Sequence, residues 1–216
     1  VKVLDARGKG RLSGLLNGLQ WIYNNQNEKN IRLVNLSLGF STDSAPLKRA
    51  IKKLVDRDTI MVASAGNRCS DDPGQDEAGG DEGDGPTCDA PQTTSVKFPA
   101  AYPGVLAVTA TDDSNQIAAY SLTGPEVAVT APGGVRRAKR ILSTFLGGWY
   151  GFGNGTSQAA AHVTGALALK LQQQRALSVD DVRWLLQQTA TALAGYTRMQ
   201  QGYGLIAVEP LLATLR

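Results

Sequence analysis

In the stretch Gly155-Thr156-Ser157-Gln158-Ala159-Ala160-Ala161-His162-Val163, one hydroxyl sits where a glycine-rich segment, Gly147 to Gly155, turns into an apolar helix. The first turn of a helix leaves its backbone N–H groups unpaired and carries a partial positive charge, so an anion forming beside Ser157 would be stabilised there. Acyl transfer needs those two features: an exposed hydroxyl nucleophile, and donors aimed at the oxygen that turns negative in the tetrahedral intermediate. A serine before a helix is by itself more often only an N-cap. The chemistry also requires a base, itself oriented by a carboxylate. The only histidine, His162, follows on the same helix at an offset that points it away from Ser157, so it reads as a packed or capped side chain and not as the base.

Further stretches accompany the serine in a fixed order. Val62-Ala63-Ser64-Ala65-Gly66-Asn67 is an apolar strand ending in Ala-Gly-Asn, preceded by Leu33-Val34-Asn35-Leu36-Ser37-Leu38-Gly39 and Val1-Lys2-Val3-Leu4. Gly202-Tyr203-Gly204-Leu205-Ile206 follows near the end. Together with Gly-Thr-Ser, small residues, histidine, valine and glycine, these stretches resemble the subtilisin-like serine proteases along the whole chain. One departure is Ala161, where the family has proline; in the first turns of a helix proline is tolerated but not needed for chemistry.

The resemblance implies a set of roles. Ser157 is the nucleophile and Asn67 gives its amide to the oxyanion hole. Ser37-Leu38-Gly39 and Ser64-Ala65-Gly66 wall the primary specificity pocket, where small residues keep space open. Gly8, Lys9 and Gly10, within Arg7 to Arg11, form an exposed edge that pairs with substrate backbone, as strand addition holds any extended peptide, and Leu12 helps form a more distant pocket. From the residues alone, Arg7 to Arg11 is equally a basic surface turn. Arg68 and Lys97 fall near the mouth and base of the specificity pocket, which suggests a preference for an acidic residue on the acyl side of the cleaved bond. The Phe98–Pro99 bond is often cis in the family, and carbonyls of Ala100, Tyr102 and Val105, with Asp112, form a weak structural calcium site. No cofactor is implied for catalysis.

At 216 residues, 42% of them hydrophobic, the chain has the size of a single domain with a sizeable core. Its apolar runs are too short to span a bilayer. The net charge of +3 is unevenly spread: eight acids and no Lys or Arg lie between Ser70 and Asp89, leaving 22 Lys+Arg against 11 Asp+Glu elsewhere. The basic residues form neither a clustered helix nor an aromatic-interleaved strand, so nucleic acid is not an expected partner. The acidic stretch belongs to an insertion at about 68–97. Its Asp81-Glu82-Gly83-Asp84-Gly85 run could wrap calcium, although a solvated acidic loop is the more common explanation; it could also neutralise Arg68 and Lys97. Cys69 and Cys88 bracket it. A disulfide there would favour a secreted or otherwise extracytoplasmic location, with two reduced thiols as the alternative. The sequons at Asn35 and Asn154 lie inside the motifs and read as accidental.

The elements that must position these residues follow from hydrophobic period. Strands are expected at Val1 to Leu4, Ile31 to Leu38, Ile60 to Ala65, Val105 to Ala110 and Val127 to Thr130. Helices are expected at Leu12 to Asn25, Ala45 to Val55, Ser157 to Gln172, Val179 to Gln188 with Ser178 as N-cap, and Val208 to Leu215. The Ser157 helix is apolar nearly all round, including Ala168, and should run through the core. Alternating strands and helices give an α/β fold: a subtilisin-like, doubly wound, mostly parallel sheet with helices on both faces, its site beyond the carboxyl ends of the strands.

In the family, the Asp-Thr-Gly and His-Gly-Thr motifs that carry acid and base precede the Val-Lys-Val-Leu strand. The strand bearing the aspartate lies between those corresponding to Val1 to Leu4 and Ile31 to Leu36. Without it, backbone groups would be left unpaired inside a buried sheet. The expectation is therefore a sheet incomplete by itself, belonging to a nicked serine endopeptidase. An N-terminal fragment of the same precursor supplies central strand, Asp and His, with polypeptide substrates and a propeptide as further partners. The alternative is a noncatalytic peptide-binding or regulatory relative. A nucleotide site built on Gly151, Gly153 and Gly155 is weak, because no Lys-Ser/Thr pair or ribose-binding acid follows. The acid-active relatives that pair serine with a carboxylate base place an aspartate where this chain has Asn67.

Overall fold

The computed structural model describes residues 1–5, 8–68, 95–135 and 140–216. Four parallel strands, β1 (Leu33–Leu36), β2 (Ile60–Ser64), β3 (Val105–Thr111) and β4 (Val127–Pro132), lie side by side in that order. Every residue of β2 and β3 is buried, as expected of central strands covered on both faces. Alternate side chains feed two cores. Ile60, Val62, Leu106 and Val108 meet α3 (Thr156–Gln173), α4 (Val179–Thr189) and α6 (Val208–Ala213). Met61, Ala63, Val105 and Ala107 meet α1 (Leu12–Asn25) and α2 (Ala45–Val55). A short helix, α5 (Arg198–Gln201), and an antiparallel hairpin, β5 (Ile141–Thr144) with β6 (Tyr150–Gly153), joined through a 3-10 turn at Leu146–Gly148, complete the elements among the described residues. The Phe98–Pro99 peptide bond is cis.

Helix ends follow their sequence signals. Ser44 accepts a hydrogen bond from Leu47 N and so caps α2, with Pro46 in the first turn and Lys52 and Lys53 in the last. Wholly buried Lys170 projects from α3, and its ammonium donates to the carbonyls of Leu212 (3.4 Å) and Thr214 (2.5 Å), closing the C-terminal end of α6.

The two edges of the sheet differ. Beyond β4, the segment 203–206 pairs with Ala128 and Thr130 through hydrogen bonds of 2.8–2.9 Å. Beyond β1, no strand is present among the described residues. Val1 to Leu4, expected as a buried strand, is not one: Val1 is 70% exposed, and Val3 leans on α1 at Gly18. With no strand among the described residues to accept its backbone hydrogen bonds, the segment packs on α1 and Gly10 without joining the sheet. A groove of about 340 Å³ separates it from β1, lined by Val1, Val3, Leu15, Leu19, Ile22 and Leu36. On the opposite face a second groove of about 430 Å³ runs along Ile31, Leu33, Ala168 and Leu171. Expected in the core, α3 is instead open along Ala161, His162, Gly165, Ala168 and Leu169. Nothing among the described residues lies beyond β1 to cover that flank.

Ser178 and Asp181 form a reciprocal capping box on α4, and the Arg216 Nε donates to the same carboxylate at 2.8 Å. These hydrogen bonds, the Ser178 hydroxyl first, lower the Asp181 pKa from its ordinary 3.8 to about 2. A depressed carboxylate stabilises the fold above its unfolded pKa, and that contribution disappears as pH falls toward 2. Asp181→Asn should cost on the order of 1–2 kcal/mol at neutral pH, allowing for its partial exposure. It should also flatten the stability profile between pH 3.8 and about 2, measured by denaturant unfolding at stepped pH.

Candidate active site

The N-terminus of α3 is pinned by three strand ends. Gly155, its N-cap, holds φ +149 and donates its N–H to Gly133 O at 2.9 Å, just beyond β4. Side chains are excluded from Gly133, where a Cβ would come within 2.5–2.8 Å of Ala110 Cβ, Tyr120 Oη and Gly155 O. From the end of β1, Ser37 Oγ donates to the Ser157 carbonyl at 3.0 Å. Beyond β2, Asn67 Oδ1 accepts from Thr156 N at 3.0 Å and Thr156 Oγ1 at 2.9 Å, while Thr156 Oγ1 accepts from Gly66 N at 3.2 Å.

The clasp on Asn67 settles which way its amide faces. A backbone N–H can only donate, so the side-chain oxygen must face Thr156. Nδ2, the donor, then lies over Gly155, 3.0 Å from where a Cβ would stand. Backbone bonds from Leu122 N to Gly66 O (2.9 Å) and from Arg68 N to Tyr120 O (2.7 Å) hold the Asn67 segment from the other side. The Tyr120 hydroxyl is itself fixed on Gly134 O at 2.7 Å, and burial pushes its pKa well above the usual phenolic range. The result is a half-buried Ser157 at a positive helix end, with the Asn67 amide donor lying over Gly155, the N-cap of the same helix.

The two segments expected to wall a specificity pocket leave β1 and β2 and are stitched together by Lys97 and Phe98. Lys97 N donates to Ala65 O at 2.9 Å, and Phe98 exchanges backbone bonds of 2.7 and 3.0 Å with Phe40. Leu38 packs partly buried against the core below, while Ser64 and Ala65 are buried. Arg68 is exposed. His162 is exposed as well and its Nδ1 lies 3.0 Å from Gln158 O, so it is held by its own helix, away from Ser157.

Two expected sites are corrected. Gly8, Lys9 and Gly10 do not present an extended edge: Asp5 N bonds Lys9 O, Gly8 N bonds Asp5 O, and Gly8 sits at φ +70, so the chain turns there. Leu12 opens α1 and packs partly buried against the core. Asp112 is not joined to the carbonyls of Ala100, Tyr102 and Val105. Val105 begins β3 and Asp112 follows its last residue, roughly 20 Å away at strand rise, and its carboxylate accepts from Ser114 N and Gln116 N. Cys69, Cys88 and the acidic run lie outside the described residues.

Comparison with known proteins agrees with this arrangement. The description of the subtilase family matches residues 1–205. The chain belongs to the subtilase family. It is 38% identical over 209 residues to subtilisin from Bacillus pumilus, covering 97% of this chain and 65% of that protein. To subtilisin E from Bacillus subtilis it is again 38% identical, over 97% of this chain and 47% of the relative. Fervidolysin from Fervidobacterium pennivorans, a keratinolytic enzyme related to subtilisin, superposes with a TM-score of 0.71 at 27% identity, over 94% of this chain and 29% of that one. The chain thus spans about half to two thirds of the length of these subtilisins.

Within this subtilase, Thr156 and Gly133 were not singled out by sequence reasoning. A threonine before the serine carries no sign of a partner nearly ninety residues away. Gly133 could have been found only as a glycine directly after a strand-ending proline. Thr156→Val keeps the volume and removes the hydroxyl clasp, freeing the Asn67 amide to turn. In enzyme with a complete set of catalytic groups this should lower kcat on the order of 10–100-fold with little change in KM, read by steady-state peptide hydrolysis.

Proposed function

We propose that this chain is the nucleophile-bearing part of a secreted serine endopeptidase that hydrolyses polypeptides through an acyl-enzyme on Ser157. The observation that carries the reading is the Thr156–Asn67 clasp, which leaves the Asn67 Nδ2 donor over Gly155 at the start of the helix that bears Ser157. Ser157 Oγ attacks the scissile carbonyl, the carbonyl oxygen becomes negative, and Asn67 Nδ2 with the Ser157 backbone N–H binds it. A base must take the hydroxyl proton and return it to the leaving amine, and an acid must orient that base.

Acid and base come, in this reading, from an N-terminal fragment of the same nicked precursor. It adds a strand to the open edge of β1 and fills the gap between β1 and Val1 to Val3. The groove there and the exposed flank of α3 support it, because a parallel strand with apolar covering on only one side is an unfinished sheet. A propeptide is a further expected partner. Structural calcium remains part of the proposal without an assigned site. The extracytoplasmic location rests on the related proteins, one of which is named a minor extracellular protease.

Intact mass under denaturing conditions, with and without a fluorophosphonate that labels activated serines, tests the reading. A second polypeptide together with one adduct mapping to Ser157 is the expected result. An adduct without a second polypeptide would retain the peptidase and remove the nick. No adduct on material carrying both fragments would leave the chain a peptide-binding relative.

A further inference from the structure

We propose that the β5–β6 hairpin is an interfacial anchor by which this protein sits on an anionic phospholipid surface. Its apolar face and tip enter the headgroup region, and Arg140 stays among the phosphates. The anchor is separate from the site at Ser157 and does not depend on the peptidase reading. It is a peripheral attachment, not a span.

In the hairpin register Leu142 stands opposite Phe152 and Thr144 opposite Tyr150, so these four side chains share one face. Leu142, Phe152 and Tyr150 are 57%, 55% and 74% exposed. Gly151 and Gly153 occupy the other face, where a Cβ would come within 2.7 Å of the Phe145 ring and 2.6 Å of Gln158 Nε2. Gln158 lies in the first turn of α3, so the glycine face is turned toward that helix and the apolar face away from it. A hairpin packed on a core ordinarily does the reverse, apolar side in and polar side out. At the tip, Gly147 and Gly148 turn with φ +78 and +81, and Trp149, 74% exposed, lies against Gly147.

Leu142, Trp149, Tyr150 and Phe152 together leave on the order of 500 Å² in water, the size of patch that marks a surface meeting another phase or partner. Its chemistry favours lipid. Trp and Tyr are the side chains that collect where hydrocarbon meets headgroups. A bilayer accepts an apolar tip without shape complementarity, whereas a protein partner calls for fixed polar groups, and this face offers only the Thr144 hydroxyl. Charge then selects the lipid class. Arg140 is exposed at the foot of β5, with its guanidinium 5.7 Å from the centroid of the Phe152 ring, at the border of the apolar face. It ends the run Arg136-Arg137-Ala138-Lys139-Arg140. The first four of these lie outside the described residues, but chain connectivity keeps their backbone within about 15 Å of Arg140. From Val127 to Val179 the sequence holds no Asp or Glu, so the covalent surroundings of the hairpin complement an anionic headgroup layer.

The test uses the complete protein as purified, with any N-terminal fragment it retains, and vesicles of phosphatidylcholine alone or mixed with phosphatidylglycerol, read by cosedimentation. Binding to the mixed vesicles should be on the order of 10-fold tighter or more. Trp149→Ser should weaken it on the order of 10-fold, and Arg140→Gln about fivefold. Both side chains are exposed, so the denaturant midpoint should not move in either variant, which separates lost anchoring from lost folding. Brominated lipid should quench tryptophan fluorescence in the parent and much less in Trp149→Phe. No cosedimentation overturns the inference, as does sedimentation untouched by Trp149→Ser. Equal binding to both vesicles, the result expected if the acids between Ser70 and Asp89 covered these cations, overturns it too. A concentration-dependent rise in mass on ultracentrifugation, lost in Trp149→Ser and without vesicle binding, would make the face a contact between copies instead.

Discussion

Three hydrogen bonds onto the first turn of α3 set the geometry on which the rest of the structure depends. Gly155 is tied to the end of β4, Thr156 to the loop after β2, and the Ser157 carbonyl to the end of β1. Parallel strands deliver all three, because their carboxyl ends finish on one side of the sheet. The burial of β2 and β3 makes those ends rigid, so the serine, the amide and the segments that follow β1 and β2 are positioned by the core itself. Gly133 and Gly155 then serve one purpose, letting backbones approach where any side chain would push Ser157 out of place.

Much of this was legible in the chain. Helix α1 and helix α2 have the boundaries their apolar period predicts, and Ser178 caps α4 as its position suggests. Elements with strong local signals, a 3.6-residue stripe or an N-cap, need little context. What failed depended on neighbours. Val1 to Leu4 has a strand's composition, but a strand exists only where another accepts its hydrogen bonds. The all-apolar α3 was read as enclosed, yet one flank is open for the same reason. The hairpin β5–β6 went unresolved into strands because Leu142, Tyr150 and Phe152 share its outward face, and an exposed apolar face reverses the pattern that marks a half-buried strand.

The candidate site divides in the same way. Ser157 and Asn67 could be named from short motifs, but the orientation of the amide could not, since it is set by Thr156 across a long sequence separation. The weak cation site failed on geometry: residues close in sequence to both ends of β3 are separated by the strand between them. Gly8 to Gly10 failed on local chemistry, since Asp5 accepts from Lys9 N through Oδ1 at 2.9 Å and draws those residues into a turn.

The end of β2 and the amide donor are not independent parts. Gly66, Asn67 and Arg68 are consecutive: the first faces the Lys97 stem, the second carries the donor, and the third is exposed. The 120–122 segment holds all three by backbone bonds to Gly66 O and from Arg68 N. In the proposed endopeptidase, a substrate side chain seated against this segment would fix where its own carbonyl falls relative to Asn67 Nδ2, and a poorly seated one would displace that carbonyl from the donor. Since misplacing a reacting carbonyl by about 1 Å can cost on the order of 100-fold in rate, binding against this segment would be expressed as turnover as well as affinity. In the proposed endopeptidase, discrimination belongs in kcat as much as in KM, because the segment expected to meet the side chain, Ser64 to Gly66, runs directly into Asn67, the residue that would stabilise the developing charge.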